Sequence, residues 1–283
     1  MFHVKPACRL FLMSLLAISA LAWADVAEVR FPGPGPELKG IFYAPEGKGP
    51  FPAIVMMHGC SGLYDSSGKP TRSYRFWAEH FRERGYATLL LDSFGPRGER
   101  EICSQKVRKV SEATDRPRDA YAALDWLAGR ADVDPARISL MGWSNGAMAV
   151  LHAVKPEAPG RAGKGPRFRA AVAFYPGCFA FIQKPLEPAV PLLIQAGAAD
   201  DWTPARHCEA LARMTDGKGA PVTIDVYPDA HHGFDRIGLE PRFRPEVRNP
   251  GSSTGWGATV GTQPEARAKS IARVTEWLEQ ANR

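Results

Sequence analysis

The segment 137–150, RISLMGWSNGAMAV, constrains the fold of this chain more than any other part of the sequence. Its apolar run 138–141 predicts a buried strand, and residues 147–151 have the composition of a helix. Between them stands the pattern G-x-S-x-G, with Ser144 at the centre of a sharp turn. Gly142 and Gly146 leave room where a side chain would collide with the packed strand and helix. Strand, turn and helix in this order predict a nucleophile elbow, a turn that exposes a reactive serine.

Apolar runs and amphipathic segments alternate along the rest of the chain, a pattern that predicts an α/β fold with a mostly parallel, doubly wound sheet of about eight strands and helices on both faces. The predicted strands are 26–31, 38–44, 53–57, 86–91, 138–141, 170–175, 191–197 and 222–227. We expect the first two to form a hairpin and 222–227 to be the last strand, at an edge. Residues 242–261 are rich in Gly, Ser and Pro, so we expect an irregular segment that forms a rim of the pocket.

The N-terminus has the composition of a secretory signal peptide. Lys5 and Arg9 precede a short apolar run, and Ala22-Trp23-Ala24 is a small-residue cleavage site. We therefore expect cleavage before Asp25, an exported protein without stable membrane insertion, and one domain over 25–283. The alternative is an uncleaved anchor, for which the apolar run is short.

Cysteines and charges limit the partners of the exported chain. Cys60, Cys103, Cys178 and Cys208 remain after cleavage, which suggests two disulfides with three possible pairings, or free buried thiols. Their spacing fits no zinc motif, and we expect no metal. The formal net charge of the full sequence is +6, and its basic residues are scattered along the chain. The exception is one basic loop, which we interpret as a solvated surface rather than a nucleic-acid site. That loop contains Arg161, Lys164, Arg167 and Arg169.

A reactive serine needs an imidazole base and a carboxylate that orients the base. In a parallel sheet these groups come from loops at the carboxyl ends of strands. Asp200 and Asp201 follow one predicted strand, although either can simply cap the next helix. His231 and His232 follow the last predicted strand. Ser, Asp and His then come in the order of the α/β-hydrolase fold. The sequence pattern does not decide between the two aspartates or between the two histidines.

The loop after the strand 53–57, with the sequence HGCSG at 58–62, has a different predicted role. A glycine-containing loop at this position can direct a backbone N–H at a developing oxyanion. We assign one donor to the N–H of Cys60 and the second to the N–H of Asn145, next to the serine. The Cys60 thiol is an alternative nucleophile, but an oxidising compartment favours a disulfide.

The motifs together resemble the dienelactone hydrolase family of α/β-hydrolases, over nearly all of the mature chain. The matching segments are PAIVMMHGCSGL (52–63), DSFGPRG (92–98), GWSNG (142–146), FYPGC (174–178), GAADDWTP (197–204) and YPDAHHGFD (227–235). The resemblance selects Asp200, four residues before a proline, and His232, two residues before a phenylalanine. It implies a hydrolase of esters or lactones that needs no cofactor. The founding members use a cysteine nucleophile, so Ser144 favours a general serine esterase or lactonase.

The strand order of that family also implies which cysteines pair. Cys60 and Cys103 follow neighbouring strands, as do Cys178 and Cys208, so we predict these two disulfides. Four arginines, Arg97, Arg100, Arg116 and Arg118, lie on or near loops that could face the pocket. We take Trp143, Arg97 and Arg118 as candidate substrate-binding residues, with a surface or structural role as the alternative.

Two other functions compete with an exported serine hydrolase of small esters or lactones. A non-catalytic binding protein on the same scaffold is one, because a fold does not prove activity. A peptidase or depolymerase is the other, although the short connection after the sixth strand leaves little room for a large lid. The sequence does not specify the acyl group, the alcohol or the oligomeric state.

Overall fold

The structure is a computed structural model that describes Met1, residues 26–161, residue 163 and residues 165–283. Apart from Met1, the predicted signal peptide lies outside the described residues. No helix in the described part of the chain has the length and apolar character that crossing a bilayer requires.

The described chain contains ten strands and six α-helices, in the alternating order that the sequence predicts. The strands are β1 (Val26–Phe31), β2 (Leu38–Tyr43), β3 (Phe51–Met57), β4 (Ala87–Asp92), β5 (Val133–Trp143), β6 (Ala171–Phe174), β7 (Leu192–Gly197), β8 (Val222–Tyr227), β9 (Arg242–Arg248) and β10 (Trp256–Val260). The helices are α1 (Arg72–Arg82), α2 (Asp115–Ala128), α3 (Asn145–Ala153), α4 (Phe179–Gln183), α5 (Ala205–Thr215) and α6 (Pro264–Ala281).

Eight strands form one sheet in the order β1-β2-β4-β3-β5-β6-β7-β8. The expected hairpin of β1 and β2 is antiparallel, and β2 also runs antiparallel to β4. All the other neighbours in this sheet are parallel, and β8 lies at its edge as expected. The mostly parallel α/β sheet is therefore confirmed, with the elbow strand β5 near its centre.

Side chains of β3 alternate between the two faces of the sheet, as a period of two requires. Val55 and Met57 belong to the core beneath α2 and α3, while Ile54 and Met56 belong to the core beneath α1 and α6. All four side chains are buried. A strand covered on both faces has a continuous apolar sequence, which explains why the central strands were predictable.

The expectation of an irregular segment over 242–261 is wrong, and β8 is not the last strand. Residues of this segment form the antiparallel hairpin β9–β10. In β9 the side chain of Val247 is buried and the other residues keep some exposure, so the strand lacks an apolar period. The hairpin packs Val247 and Ala258 on a small separate core with Cys60, Cys103 and Phe94. Hydropathy did not predict it because one of its strands covers a surface loop with mostly polar residues.

Candidate active site

Ser144 lies between β5 and α3 in a strained backbone conformation, with φ of 53° and ψ of −115°. Tight packing holds the turn in place. A Cβ on Gly146 would lie 2.2 Å from the carbonyl O of Met57, and one on Gly142 would lie 2.6 Å from the backbone of Gly146. Both glycines are therefore required by close backbone approach, and the turn has the geometry of a nucleophile elbow.

The structure brings Ser144, His232 and Asp200 into one hydrogen-bonded chain. Nε2 of His232 lies 2.9 Å from Oγ of Ser144, and Nδ1 lies 2.8 Å from Oδ2 of Asp200. A carboxylate only accepts, so Nδ1 of the neutral imidazole carries the proton and Nε2 accepts from the serine hydroxyl. His232 is 5% exposed and Asp200 4%, which keeps the pair largely out of water. In this hydrogen-bonded series, His232 can accept the proton of the serine hydroxyl.

Neighbouring groups hold the acid and the base in position. Oδ1 of Asp200 accepts from the backbone N–H groups of Trp202 and Thr203 at 2.9 and 2.8 Å. The hydroxyl of Thr203 donates to Oδ2 at 2.9 Å. The rings of Tyr175 and Trp202 lie 4.5 and 4.7 Å from the His232 imidazole. These contacts fix the orientation of both the Asp200 carboxylate and the His232 imidazole, so the imidazole stays beside the serine hydroxyl.

The competing residues of the two pairs have structural contacts. Asp201 accepts from the backbone N–H and the hydroxyl of Thr259 at 2.8 and 2.9 Å, which anchors β10. Nδ1 of His231 donates to the carbonyl O of Ala199 at 2.9 Å. The geometry therefore favours the assignment of Asp200 and His232 over their neighbours.

The loop after β3 lies against the elbow. A Cβ on Gly59 would lie 3.5 Å from Cβ of Ser144, so the two backbones nearly touch. Within the described ranges, neither the N–H of Cys60 nor that of Asn145 donates a hydrogen bond. Both amides are therefore free to serve an incoming oxygen atom.

Both disulfides join the cysteines that the resemblance pairs. Cys60 is bonded to Cys103, and Cys178 is bonded to Cys208. The first bond lies at the site: the carbonyl of Cys60 accepts from Ile102, and that of Cys103 accepts from Arg248 in β9. The loop after β3, the loop of Cys103 and the hairpin β9–β10 are thus linked together.

Trp143 borders the cavity, but its polar atom is already engaged. Its indole N–H donates to Asp235 at 2.9 Å, and the same carboxylate accepts from Trp77 at 2.9 Å and Tyr175 at 2.7 Å. Asp235 is 1% exposed. Trp143 can therefore offer a substrate only an apolar surface.

The structure does not support the predicted substrate contacts of Arg97 and Arg118. The guanidinium of Arg97 forms a bidentate ion pair with Asp119, both bonds at 2.8 Å, and donates to the carbonyl of Ser93. Arg118 is exposed on α2 and packs on Gly160. Both arginines are close to the motifs in sequence, but their side chains contact Asp119 and Gly160 instead of the groups around Ser144. Neither residue lines the cavity.

The cavity above Ser144 is narrow, and two arginines that the sequence analysis missed border it. Arg236 follows His232 by four residues, and Arg244 belongs to β9. Arg244 pairs with Glu246 at 2.8 Å. Within the described ranges no hydrogen bond or ion pair engages the guanidinium of Arg236. Arg236 could have been proposed from the sequence, because HGFDR (232–236) contains both it and the predicted base. No neighbouring motif indicated that Arg244 would reach the cavity. The full lining is Gly59, Cys60, Ser61, Tyr74, Trp143, Ser144, Tyr175, Trp202, His232, Gly233, Arg236, Arg244 and Val260.

Comparisons with known proteins identify a family and several proteins of similar fold. The model of the dienelactone hydrolase family matches residues 38–282. A Yersinia pestis protein that carries the name carboxymethylenebutenolidase is 23% identical over 246 residues, which are 81% of this chain and 84% of the relative. Esterase 2 of Thermogutta terrifontis, solved with propionate bound, is 21% identical with a TM-score of 0.61, over 90% of this chain and 94% of that one. A dienelactone hydrolase-like promiscuous phosphotriesterase from metagenomic libraries is 19% identical with a TM-score of 0.58, over 90% and 98%.

Proposed function

Because the chain belongs to the dienelactone hydrolase family and is a carboxylic ester hydrolase, we propose that it cleaves small esters or lactones through an acyl-enzyme on Ser144. His232 is the proposed base and Asp200 the residue that orients it. The observation that carries this proposal is the hydrogen-bonded chain of 2.9 and 2.8 Å from Ser144 through His232 to Asp200. The narrow cavity favours small substrates.

In the proposed reaction, Oγ of Ser144 bonds to the carbonyl carbon while Nε2 of His232 takes the hydroxyl proton. The carbonyl electron pair moves onto its oxygen, which accepts from the N–H groups of Cys60 and Asn145. His232 then gives the proton to the leaving alkoxide as the ester C–O bond breaks. A water molecule then gives a proton to Nε2 of His232 as its oxygen bonds to the acyl carbon. The bond from that carbon to Oγ of Ser144 breaks, and His232 returns the proton to Oγ, which releases the acid and the free serine.

Covalent labelling tests the nucleophile directly. We expect a fluorophosphonate probe to inactivate the protein and to add its mass to the peptide that contains Ser144, but not to the Ser144→Ala variant. Esterase 2 of Thermogutta terrifontis has been solved phosphorylated by paraoxon, so a protein of similar fold reacts with an organophosphate. Full esterase activity after complete exposure to the probe, or a label on another residue, would contradict the proposal.

We further propose that the enzyme is exported to the periplasm or secreted. The signal-like N-terminus and two disulfides support this location, since disulfides persist in oxidising compartments. N-terminal sequencing of the protein from the periplasmic or culture fraction is expected to begin at Asp25.

Arg236 is the proposed contact for an acidic group of the substrate. It lines the cavity without a carboxylate partner among the described residues, and a charge-assisted bond to a substrate carboxylate contributes about 1.5–3 kcal/mol. We expect Arg236→Gln to raise KM about 10- to 100-fold for esters with a carboxylate in the acyl part, and to change KM little for neutral esters. Arg118→Gln is the matched control, because the side chain of Arg118 is exposed on the surface of α2. An equal effect on both ester classes would contradict an anion site.

The two disulfides are expected to differ in their effect on catalysis. Each closes a loop, with sequence separations of 43 and 30, so the chain-entropy model gives a loss of about 4 kcal/mol for either. The Cys60→Ala/Cys103→Ala variant should also lower kcat about tenfold or more, because it frees the loop that carries an oxyanion donor. Cys178→Ala/Cys208→Ala, which frees α4 and α5, should keep kcat. Thermal unfolding measures the loss of stability in both variants, and steady-state kinetics measure kcat. Equal kcat values in the two variants would contradict a specific role of the Cys60–Cys103 disulfide in catalysis.

A further inference from the structure

Arg116, in the first turn of α2, is a fully buried cation, 0% exposed. Its Nη1 donates to the side-chain Oδ1 of Asn145, and its Nη2 donates to the carbonyl O of His58, both at 2.7 Å. The ring of Phe94 lies 5.0 Å from the guanidinium carbon. A side chain held in this way cannot reach solvent or enter the cavity.

The two acceptors of Arg116 belong to the two walls of the proposed oxyanion hole. Asn145 is the residue after Ser144, and its backbone N–H is one proposed donor. His58 is two residues before Cys60, whose N–H is the other. One guanidinium therefore joins both donor segments, with a hydrogen bond of 2.7 Å to each.

The charge of Arg116 is not neutralised by a direct partner in the described part of the chain. Both of its acceptors are neutral groups, and Nε has no hydrogen-bond partner there. The nearby Asp119 is engaged by Arg97, and Glu112 accepts from Nδ2 of Asn145 at 3.2 Å. Burial lowers the pKa of Arg116 to about 10, so the group remains charged at neutral pH. A positive charge that is shielded from water acts strongly on a negative charge that develops nearby.

We propose that Arg116 is a positioning residue of the oxyanion hole, and that its buried positive charge also stabilises the oxyanion that forms on the substrate. The inference rests on the proposed esterase function. When Oγ of Ser144 bonds to the carbonyl carbon, the carbonyl electron pair becomes an oxyanion at the N–H groups of Cys60 and Asn145. Arg116 transfers no proton; it fixes the two donors and supplies the opposite charge.

Three variants test this role on the full-length protein. Arg116→Gln removes the charge and at least one of the two hydrogen bonds that the guanidinium donates. It should lower kcat about 10²- to 10³-fold with little change in KM, as loss of an oxyanion donor does. Arg116→Lys keeps the charge and should recover at least tenfold of that loss. Arg130→Gln is the matched control, since Arg130 also packs on an aromatic ring and bonds a neighbour, just beyond the far end of the same helix. It should keep the wild-type kcat.

A comparison of oxoesters with thionoesters separates charge stabilisation from simple loss of structure. Sulfur accepts hydrogen bonds weakly, so an enzyme with an intact oxyanion hole prefers the oxoester. The oxoester preference should fall in Arg116→Gln and return partly in Arg116→Lys. A folded Arg116→Gln with kcat within threefold of wild type, or with an unchanged oxoester preference, overturns the inference. If the glutamine variant does not fold, the kcat and oxoester preference of the lysine variant decide alone.

The outcome is distinguishable from failure of the proposed function. A wild-type protein that neither hydrolyses esters nor takes a fluorophosphonate label refutes the esterase proposal before any Arg116 variant is made. An active, labelled wild type with unaffected Arg116 variants refutes this inference alone.

Discussion

Replacing Ser144 with alanine is expected to lower kcat by about 10⁴- to 10⁶-fold, the range found when a catalytic serine is removed from such an assembly. The substitution deletes one oxygen atom and leaves Gly142 and Gly146 in place, so the fold should be retained. The residual rate above water should come from the oxyanion donors and from substrate binding. Steady-state kinetics with p-nitrophenyl esters and with lactones of graded chain length measure the loss and rank the substrates.

Ser139→Ala is the matched control for that variant. Ser139 lies on β5, the strand that precedes Ser144; it is fully buried, and its hydroxyl has no hydrogen-bond partner in the described residues. Its removal should leave kcat unchanged. A Ser144→Ala enzyme that retained more than about a tenth of the wild-type rate would exclude Ser144 as the nucleophile.

Replacing His232 with alanine should cost about as much as removing Ser144, because the two groups act as one unit. Without Nε2, the serine hydroxyl at 2.9 Å has no group that accepts its proton. The double variant should be hardly slower than either single variant. Strictly additive losses in the double variant would show that the two residues act independently.

His231→Ala is the decisive comparison, because the two histidines are adjacent and differ only in their contacts. His231 donates to the carbonyl of Ala199, so its loss should lower stability by about 1 kcal/mol and kcat by only a few-fold. Equal losses at both positions would mean that the loop, rather than the imidazole of His232, is what catalysis requires.

The sequence analysis was most successful where structure follows local rules. A buried strand between two helical layers must be apolar throughout, so β3, β5 and β7 were evident, and the tight turn at Ser144 required the two glycines beside it. The loops that carry Asp200 and His232 follow strands in a parallel sheet, which places them at the same edge as Ser144. These predictions needed no knowledge of how distant segments pack.

The predictions that the geometry does not support concern side chains that extend away from their own segment. Arg97 and Arg118 stand close to the motifs in sequence, yet one pairs with Asp119 and the other packs on Gly160. Arg236 and Arg244 reach the cavity from segments that had given no clear hydropathy signal. The direction of a long side chain depends on the groups that surround it in three dimensions.

The sequence by itself thus determined the α/β sheet, the turn at Ser144 and the order of serine, aspartate and histidine, because each follows from periodicity, glycine geometry or chain order. The preference for Asp200 over Asp201 and for His232 over His231 came from the family resemblance. The tertiary structure gives the two alternatives structural contacts, Asp201 with Thr259 in β10 and His231 with Ala199. Only tertiary packing decided that Arg116 joins both donor segments of the proposed oxyanion hole. Its two acceptors are 29 and 58 residues away along the chain, and no local pattern reports a contact over such distances.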